Sequence, residues 1–195
     1  MKIVVLGGSS DLAKGLVKIL DKTFSEIITV DRTVIDFDDS QSTFKLHNLI
    51  RQNDPDLIIN CVGILGTNTD DYEYVFNANF KSNWDIIRYY ISNQSNKKTK
   101  FIMIGSSAYS GGRKNYMLYS ASKAALYNLF LSASSHFNKT NLLIGLINFP
   151  RIRTKMISHL LTPELECMEV DEASEIIVDF LYNLNSNTSI DLGVK

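Results

Sequence analysis

The 195-residue chain has only two cysteines, Cys61 and Cys167, too few and too isolated for a disulfide framework or a thiolate zinc site. It lacks long apolar runs, and none approaches the ~20 residues that cross a bilayer. The first apolar run begins at Lys2, which leaves no room for a signal peptide, so a cytoplasmic protein is expected. No sign of charge dominates: 20 Lys and Arg face 21 Asp and Glu, for a net charge of −1. Such a balance gives no general attraction to nucleic acid or anionic membrane. Internal repeats, low-complexity tracts and linkers are also missing. What remains, 45% hydrophobic and 21% charged, is an ordinary soluble composition. One domain over residues 1–195 is expected, long enough to bury roughly 70% of its unfolded-chain surface.

The most informative stretch runs from Phe101 to Leu131. An apolar run, Phe101-Ile102-Met103-Ile104, has the character of a buried strand and breaks at Gly105-Ser106-Ser107. A Gly-rich, basic loop leads into a helical pattern with Ala121, Ala124, Ala125, Leu126, Leu129, Phe130 and Ala133 as its small and apolar residues. Tyr119 and Lys123, four apart, share one helix face. A hydroxyl at a strand end followed by a Tyr/Lys pair is a proton-transfer constellation. The ammonium is expected to favour the phenolate and lower the Tyr119 pKa, and Ser106 to donate to an oxygen gaining charge. Tyr119-Ser-Ala-Ser-Lys123, with Ser106 thirteen residues before the Tyr, resembles the active-site motif of the short-chain dehydrogenase/reductases.

The N-terminal region supplies the matching cofactor signal. Lys2-Ile3-Val4-Val5-Leu6 reads as a strand and Gly7-Gly8-Ser9-Ser10 as a turn. Leu12, Ala13, Leu16, Val17 and Leu20 then form the apolar stripe of a helix. Strand, glycine turn and helix make the dinucleotide-binding arrangement, in which a pyrophosphate meets close backbone and a helix N-terminus. Where the family reads Thr-Gly-x-x-x-Gly-x-Gly, this chain reads Leu6-Gly7-Gly8-Ser9-Ser10-Asp11-Leu12-Ala13. Only the first Gly stays in register, and Asp11, expected as the helix N-cap, places an anion near the phosphates. A second strand, Ile27 to Val30, ends at Asp31, placed to accept from the adenosine ribose hydroxyls. That favours NAD over NADP, against which Arg32 offers a guanidinium for a 2′-phosphate.

Residues 34–37 read as a short, degenerate third strand, with Asp36 and Phe37 edging the adenine. A helix over roughly 40–52 and a fourth strand over 56–60 follow. Asn60-Cys61-Val62-Gly63 resembles the family's Asn-Asn-Ala-Gly segment beside the adenosine, and the compressed region resembles the sugar-nucleotide reductases among its relatives. From about Asp71 to Ser92 the pattern is helical, with Phe76, Phe80, Trp84, Ile87 and Ile91 as the expected buried face. Asn79, 27 residues before Ser106, falls where the resemblance implies a helix Asn supporting proton relay, with Asn77 as the fallback.

Leu142 to Asn148 reads as a sixth strand. Pro150, Ile152 and Thr154 then match the family's Pro-Gly-x-Val-x-Thr segment, which closes over the nicotinamide, in a version lacking its Gly. A helix over about 170–184 precedes Ile190 to Lys195, read as the stub of a seventh strand. The expected fold is a doubly wound parallel (Rossmann) sheet of six or seven strands with helices on both faces.

The resemblance implies an NAD(P)-dependent oxidoreductase moving hydride between nicotinamide and a carbonyl/alcohol carbon, of a sugar, sugar phosphate or nucleotide sugar. In it Tyr119 is the acid/base, Lys123 contacts the nicotinamide ribose, Ser106 polarises the substrate oxygen (Ser107 the alternative) and Asn79 supports the relay. An epimerase or dehydratase with retained NAD, and a non-catalytic dinucleotide-binding regulator, are the alternatives. Arg113, Lys114, Arg151, Arg153 and Lys155 gather on one rim and point to an anionic substrate held by Arg113 and Arg151. A homodimer is expected through helices near 72–92 and 116–137, with Tyr89, Tyr90, Tyr127 and Phe137 on the outer faces. The stretch beyond Thr154 is short for the family, so either the lid is small or a partner subunit completes it.

Overall fold

A computed structural model describes residues 1–93 and 96–193. Its centre is a six-stranded, all-parallel sheet of β1 (Lys2–Leu6), β2 (Glu26–Val30), β3 (Leu57–Asn60), β4 (Thr99–Ser106), β5 (Leu142–Phe149) and β6 (Thr188–Asp191). The strand order is β2-β1-β3-β4-β5-β6, so the chain winds outward from β1 in both directions. The central strands are buried on both faces, which accounts for their continuous Ile, Val and Leu runs. Against one face pack α2 (Ser42–Asn53), α4 (Ser82–Ser92) and α5 (Met117–His136). Against the other pack α1 (Asp11–Leu20) and α6 (Val170–Asn183). In register, Leu6 faces both Val30 and Asn60, while β4 and β5 run on to pair Ser106 with Phe149. The strand ends that carry Gly7, Asp31, Cys61, Ser106 and Pro150 therefore share one edge of the sheet.

Residues 34–37 are not a strand. Asp31 accepts from the backbone N–H and hydroxyl of Thr33 (2.9 and 2.6 Å), and its carbonyl accepts from Val34 and Ile35 (3.1 and 3.0 Å). Aspartate turn chemistry thus curls a segment whose β-branched residues suggested extension. Ile35 and Phe37 still drop into the core, so Phe37 backs the cleft as a core residue. The terminal strand is β6, the sixth rather than a seventh; Val194 and Lys195 of the expected stub lie outside the described residues.

The helix read over 71–92 is α3 (Tyr72–Phe76), a π-helical turn (Asn77–Lys81) and α4 in succession. Its buried face is the expected one only in part: Ile87 is buried, and Phe76 and Phe80 are half-buried. Val75, Asn79, Ser82, Asn83, Ile86, Ile87 and Tyr90 turn inward, whereas Trp84 and Ile91 are 36% and 43% exposed. Such a turn carries an extra residue and rotates everything beyond it relative to a regular helix. The inward polar residues are bonded: Asn60 Nδ2 donates to Ser82 Oγ and to Asn83 Oδ1, both at 2.9 Å. Buried Asp85 accepts from Thr43 Oγ1 at 2.7 Å and Lys81 Nζ at 3.0 Å. Of the four aromatics expected outside, Tyr90 and Phe137 are core residues, and Tyr89 and Tyr127 pack against that core.

Candidate active site

The glycine turn is shaped by contact with β3. Gly7 has φ +76°, and a Cβ there would lie 2.8 Å from the Cys61 carbonyl carbon, so a side chain is excluded on two counts. The turn closes with Ser10 N–H donating to Gly7 O at 2.9 Å, and Cys61 N–H donates to Leu6 O at 3.0 Å. The N-cap of α1 is Ser10, whose Oγ accepts from Ala13 N–H at 3.2 Å; Asp11, expected there, is the first helical residue. Asp11 Oδ2 instead accepts the backbone N–H of Lys155 at 2.7 Å, tying the turn to the segment after β5. Ser9, Ser10, Asp11 and Leu12 all face the cleft that this turn opens.

Beside the turn, a cavity of about 210 Å³ is walled by Gly7, Asp31, Arg32, Asp36, Phe37 and Val62. Hydrogen bonds from Thr33, hydroxyl first, hold Asp31 below the usual carboxylate range. The Arg32 Nε donates to Asp36 at 2.9 Å and its Nη2 to Asp38 at 3.2 Å, and the guanidinium lies 5.7 Å from the Tyr74 ring centre. The hydrogen bond to Asp36 raises the Arg32 pKa further. The expected phosphate-seeking guanidinium is thus engaged by two carboxylates.

The floor between this cavity and the next is Cys61-Val62-Gly63, set by two asparagines. Asn60 Oδ1 accepts from Val62 N–H at 3.1 Å. Asn79, fully buried in the π-helical turn, accepts from Ile64 N–H (2.9 Å) and donates to Ile64 O (3.0 Å) and Ser122 Oγ (2.9 Å). It therefore clamps this floor to α5. Its carbonyl accepts from Asn83 Nδ2 at 3.1 Å. Asn77, the fallback, donates to Asp38 at 3.3 Å, away from α5. Burial pushes the Cys61 thiol up to about 12, which keeps it protonated and unreactive.

Beyond the floor, a second cavity of about 310 Å³ brings Ser106, Ser107, Tyr119 and Lys123 together, with Pro150, Ile152 and Thr154 also lining it. It shares Ser9, Ser10 and the 61–64 segment with the first, so the two form one cleft along the sheet edge. Ser106 ends β4 and its Oγ accepts from Ala108 N–H at 3.2 Å. Lys123 is 5% exposed, its Nζ 5.7 Å from the Tyr119 ring centre and donating to Ile104 O at 3.0 Å. Burial lowers its pKa to about 8. Burial also raises Tyr119, against a hydrogen bond with Ser106 and the charge of Arg113. The expected lowering of Tyr119 by Lys123 is therefore corrected: desolvation outweighs the favourable charges.

The five rim cations divide. Arg113, Arg151 and Lys155 line the second cavity. Arg153 is taken by Glu169 at 2.7 Å, and Lys114 borders a separate shallow depression. In the stretch expected to carry a lid, Lys155–Leu160 is a short 3₁₀ segment. It is held at one end by Asp11 and near the other by the Tyr116 hydroxyl, 3.3 Å from His159 Nε2. An isolated parallel bridge between Ile152 and Met168 secures the stretch that carries it.

Sequence reasoning missed Ser122, the Asn60–Ser82–Asn83 network and both lid ties. Ser122 and the Arg32–Asp36 pair were accessible through helical spacing, being three and four residues from partners already singled out. The Asp11–Lys155 bond spans 144 residues and had no local signal.

The residues present fit a dinucleotide: a side-chain-free approach at Gly7, a turn opening onto a helix N-terminus, and a carboxylate at the end of β2. The sequence matches the short chain dehydrogenase family over residues 1–164. The chain belongs to that family and is an NAD(P)-dependent short-chain dehydrogenase/reductase. No curated protein matches it. Among solved structures, it resembles the 3-alpha-hydroxysteroid dehydrogenase from Pseudomonas sp. B-0831 complexed with NADH, at TM-score 0.82 and 13% identity over 98% of this chain and 95% of that one. A short chain dehydrogenase from Burkholderia cenocepacia J2315 in complex with NADP gives 0.78 and 16%, over 100% and 90%. A 4-hydroxyisoleucine dehydrogenase complexed with NADH gives 0.79 and 20%, over 99% and 98%.

Proposed function

We propose that this enzyme is a cytoplasmic carbonyl reductase, single-domain and homodimeric, that prefers NAD(H) and acts on a small anionic substrate. The observation that carries the reading is the convergence of Ser106, Tyr119 and Lys123 on one wall of a cleft continuous with the Gly7 turn. Bound in that cleft, the cofactor supplies two electrons as hydride to the carbonyl carbon. Ser106 Oγ donates to the carbonyl oxygen as it gains charge, and Tyr119 delivers the proton that completes the alcohol. Lys123 holds the nicotinamide ribose, and Asn79 supports the relay by fixing Ile64 and Ser122 around Lys123.

NAD preference is supported by Asp36 and Asp38, which engage Arg32, and by the Asp31 carboxylate on the same cavity. An anionic substrate is supported by Arg113 and Arg151 at the second cavity. Of the sugar, sugar-phosphate and nucleotide-sugar candidates, only the latter two carry such a negative group. Dimerisation is supported by apolar side chains left outside on α4 and α5: Trp84, Ile91, Met117 and Leu131. The test is a 340 nm absorbance screen of carbonyl compounds, charged and neutral, with NADH and NADPH. Oxidation of NADH by a charged carbonyl supports the reading. Turnover with NADPH alone, or of neutral compounds alone, goes against it.

A further inference from the structure

We propose, resting on the hydride-transfer reading above, that the substrate is a short aliphatic oxo acid whose carboxylate is held by Arg113 close to the reacting carbonyl. Arg113 is fixed at both ends to residues flanking the candidate acid and its hydroxyl partner. Its backbone N–H donates to Ser120 Oγ at 3.0 Å, next to Tyr119, and its Nη2 donates to Ser107 Oγ at 3.3 Å, next to Ser106. The guanidinium lines the same cavity as Ser106 and Tyr119, near enough for its charge to act on Tyr119.

It also has unused capacity. Among the described residues, no carboxylate lies within ion-pair distance of Arg113, whereas Arg32 and Arg153 are both engaged by acids. A half-buried planar fork with one hydroxyl partner keeps donors for a carboxylate beside the reacting carbon.

The remaining walls say what the rest of the substrate is. Leu65, Ile152, Met156, Ile157 and Leu160 make most of the cavity apolar, beside the polar Tyr116, Thr154 and Arg151. A hydroxyl-rich sugar would leave its polar groups unpaired against these aliphatic side chains, at a cost for each. The cavity, about 310 Å³, lies at the lower end of the ~300–1,000 Å³ of ligand sites and must also admit the nicotinamide ring. That leaves room for a short chain and argues against a nucleotide sugar.

The test uses the Tyr119→Phe protein loaded with NADH, so that binding is read without turnover by quenching of NADH fluorescence. The probes are 4-methyl-2-oxopentanoate, 3-oxohexanoate, the methyl ester of each, and fructose 6-phosphate. At least one acid should bind about tenfold or more tightly than its ester, and above fructose 6-phosphate. Adding Arg113→Gln should bring the acid-to-ester ratio to about one while NADH affinity holds. Equal binding of acid and ester, acid selectivity that survives Arg113→Gln, or tightest binding of fructose 6-phosphate would overturn the proposal. The ratio before the Arg113 change is decisive even if that variant folds poorly. Acid-selective binding with no NADH oxidation by the wild-type protein would support the recognition and remove the hydride-transfer reading. Neutral ketones bound and turned over as well as the acids would do the reverse.

Discussion

Asp11 Oδ2 accepts the backbone N–H of Lys155 at 2.7 Å, so a single carboxylate joins the glycine turn to the lid across the mouth of the cleft. The same carboxylate places a negative charge beside the turn to which a pyrophosphate is drawn. Asparagine and alanine separate the two effects. Asp11→Asn keeps an acceptor for Lys155 and drops the charge, so NADH should bind about three- to tenfold more tightly while the lid resists protease as before. Asp11→Ala loses both, and cleavage within 155–165 should quicken. Weaker NADH binding by the Asn variant, or equal lid protection in both variants, would contradict this account.

Cofactor choice should follow the acids around Arg32. The wild-type protein should bind NADH more tightly than NADPH in fluorescence titrations. Asp36→Ala frees the Arg32 Nε now held at 2.9 Å and should narrow the gap, as should Asp31→Ala. Arg32→Ala should widen it. Tighter NADPH binding by the wild-type protein would mean that Arg32 escapes its carboxylates.

Lys123 predicts a pH dependence of stability. Its pKa is lowered to about 8 by burial, against an ordinary 10.5. Between those values the unfolded chain binds the proton that the folded one has lost, so this residue's contribution to stability rises with pH. Relative to Lys123→Met, the wild-type protein should gain roughly 1 kcal/mol per pH unit from pH 8 to 10 in urea unfolding. Cys61 and Tyr90, each pushed up to about 12, act in the opposite sense above pH 9 and 10; Tyr90 is common to both proteins and cancels in the difference, whereas Cys61 feels the Lys123 charge, so the comparison is made with Cys61→Ser in both proteins. A flat difference would show Lys123 to be solvated.

Much of this was legible in the sequence because its signals are local. Buried parallel strands read as β-branched runs, Gly7 follows one of them, and Tyr119 and Lys123 are one helical turn apart. The errors arose where a neighbouring force overrode the pattern. Asp31 and Thr33 turned Val34 to Phe37 out of the sheet. A π-helical turn rotated Trp84 outward and brought Asn79 and Asn83 in, where hydrogen bonds replace apolar contacts. Tyr90 and Phe137 fall on the buried stripes themselves, Tyr90 with Asn83, Ile86 and Ile87 on α4, and Phe137, just past α5, with Leu126, Phe130 and Ala133. The Tyr119 shift needed knowledge of burial, which spacing does not carry.

The exposed apolar residues on α4 and α5 make association measurable. Light scattering at micromolar concentration should give a dimer, and Trp84→Glu or Leu131→Glu should shift it toward monomer with little change in the far-UV spectrum. A monomeric wild-type protein would defeat the proposal.

The central claim is that Tyr119 delivers the proton, and single-turnover kinetics test it most directly. Enzyme with bound NADH is mixed with the carbonyl compound turned over fastest by the wild-type protein, and the 340 nm decay is compared in wild type and Tyr119→Phe. The account predicts a fall of at least ~10²–10⁴-fold with NADH affinity unchanged. A Phe variant that oxidises NADH within tenfold of the wild-type rate would contradict it.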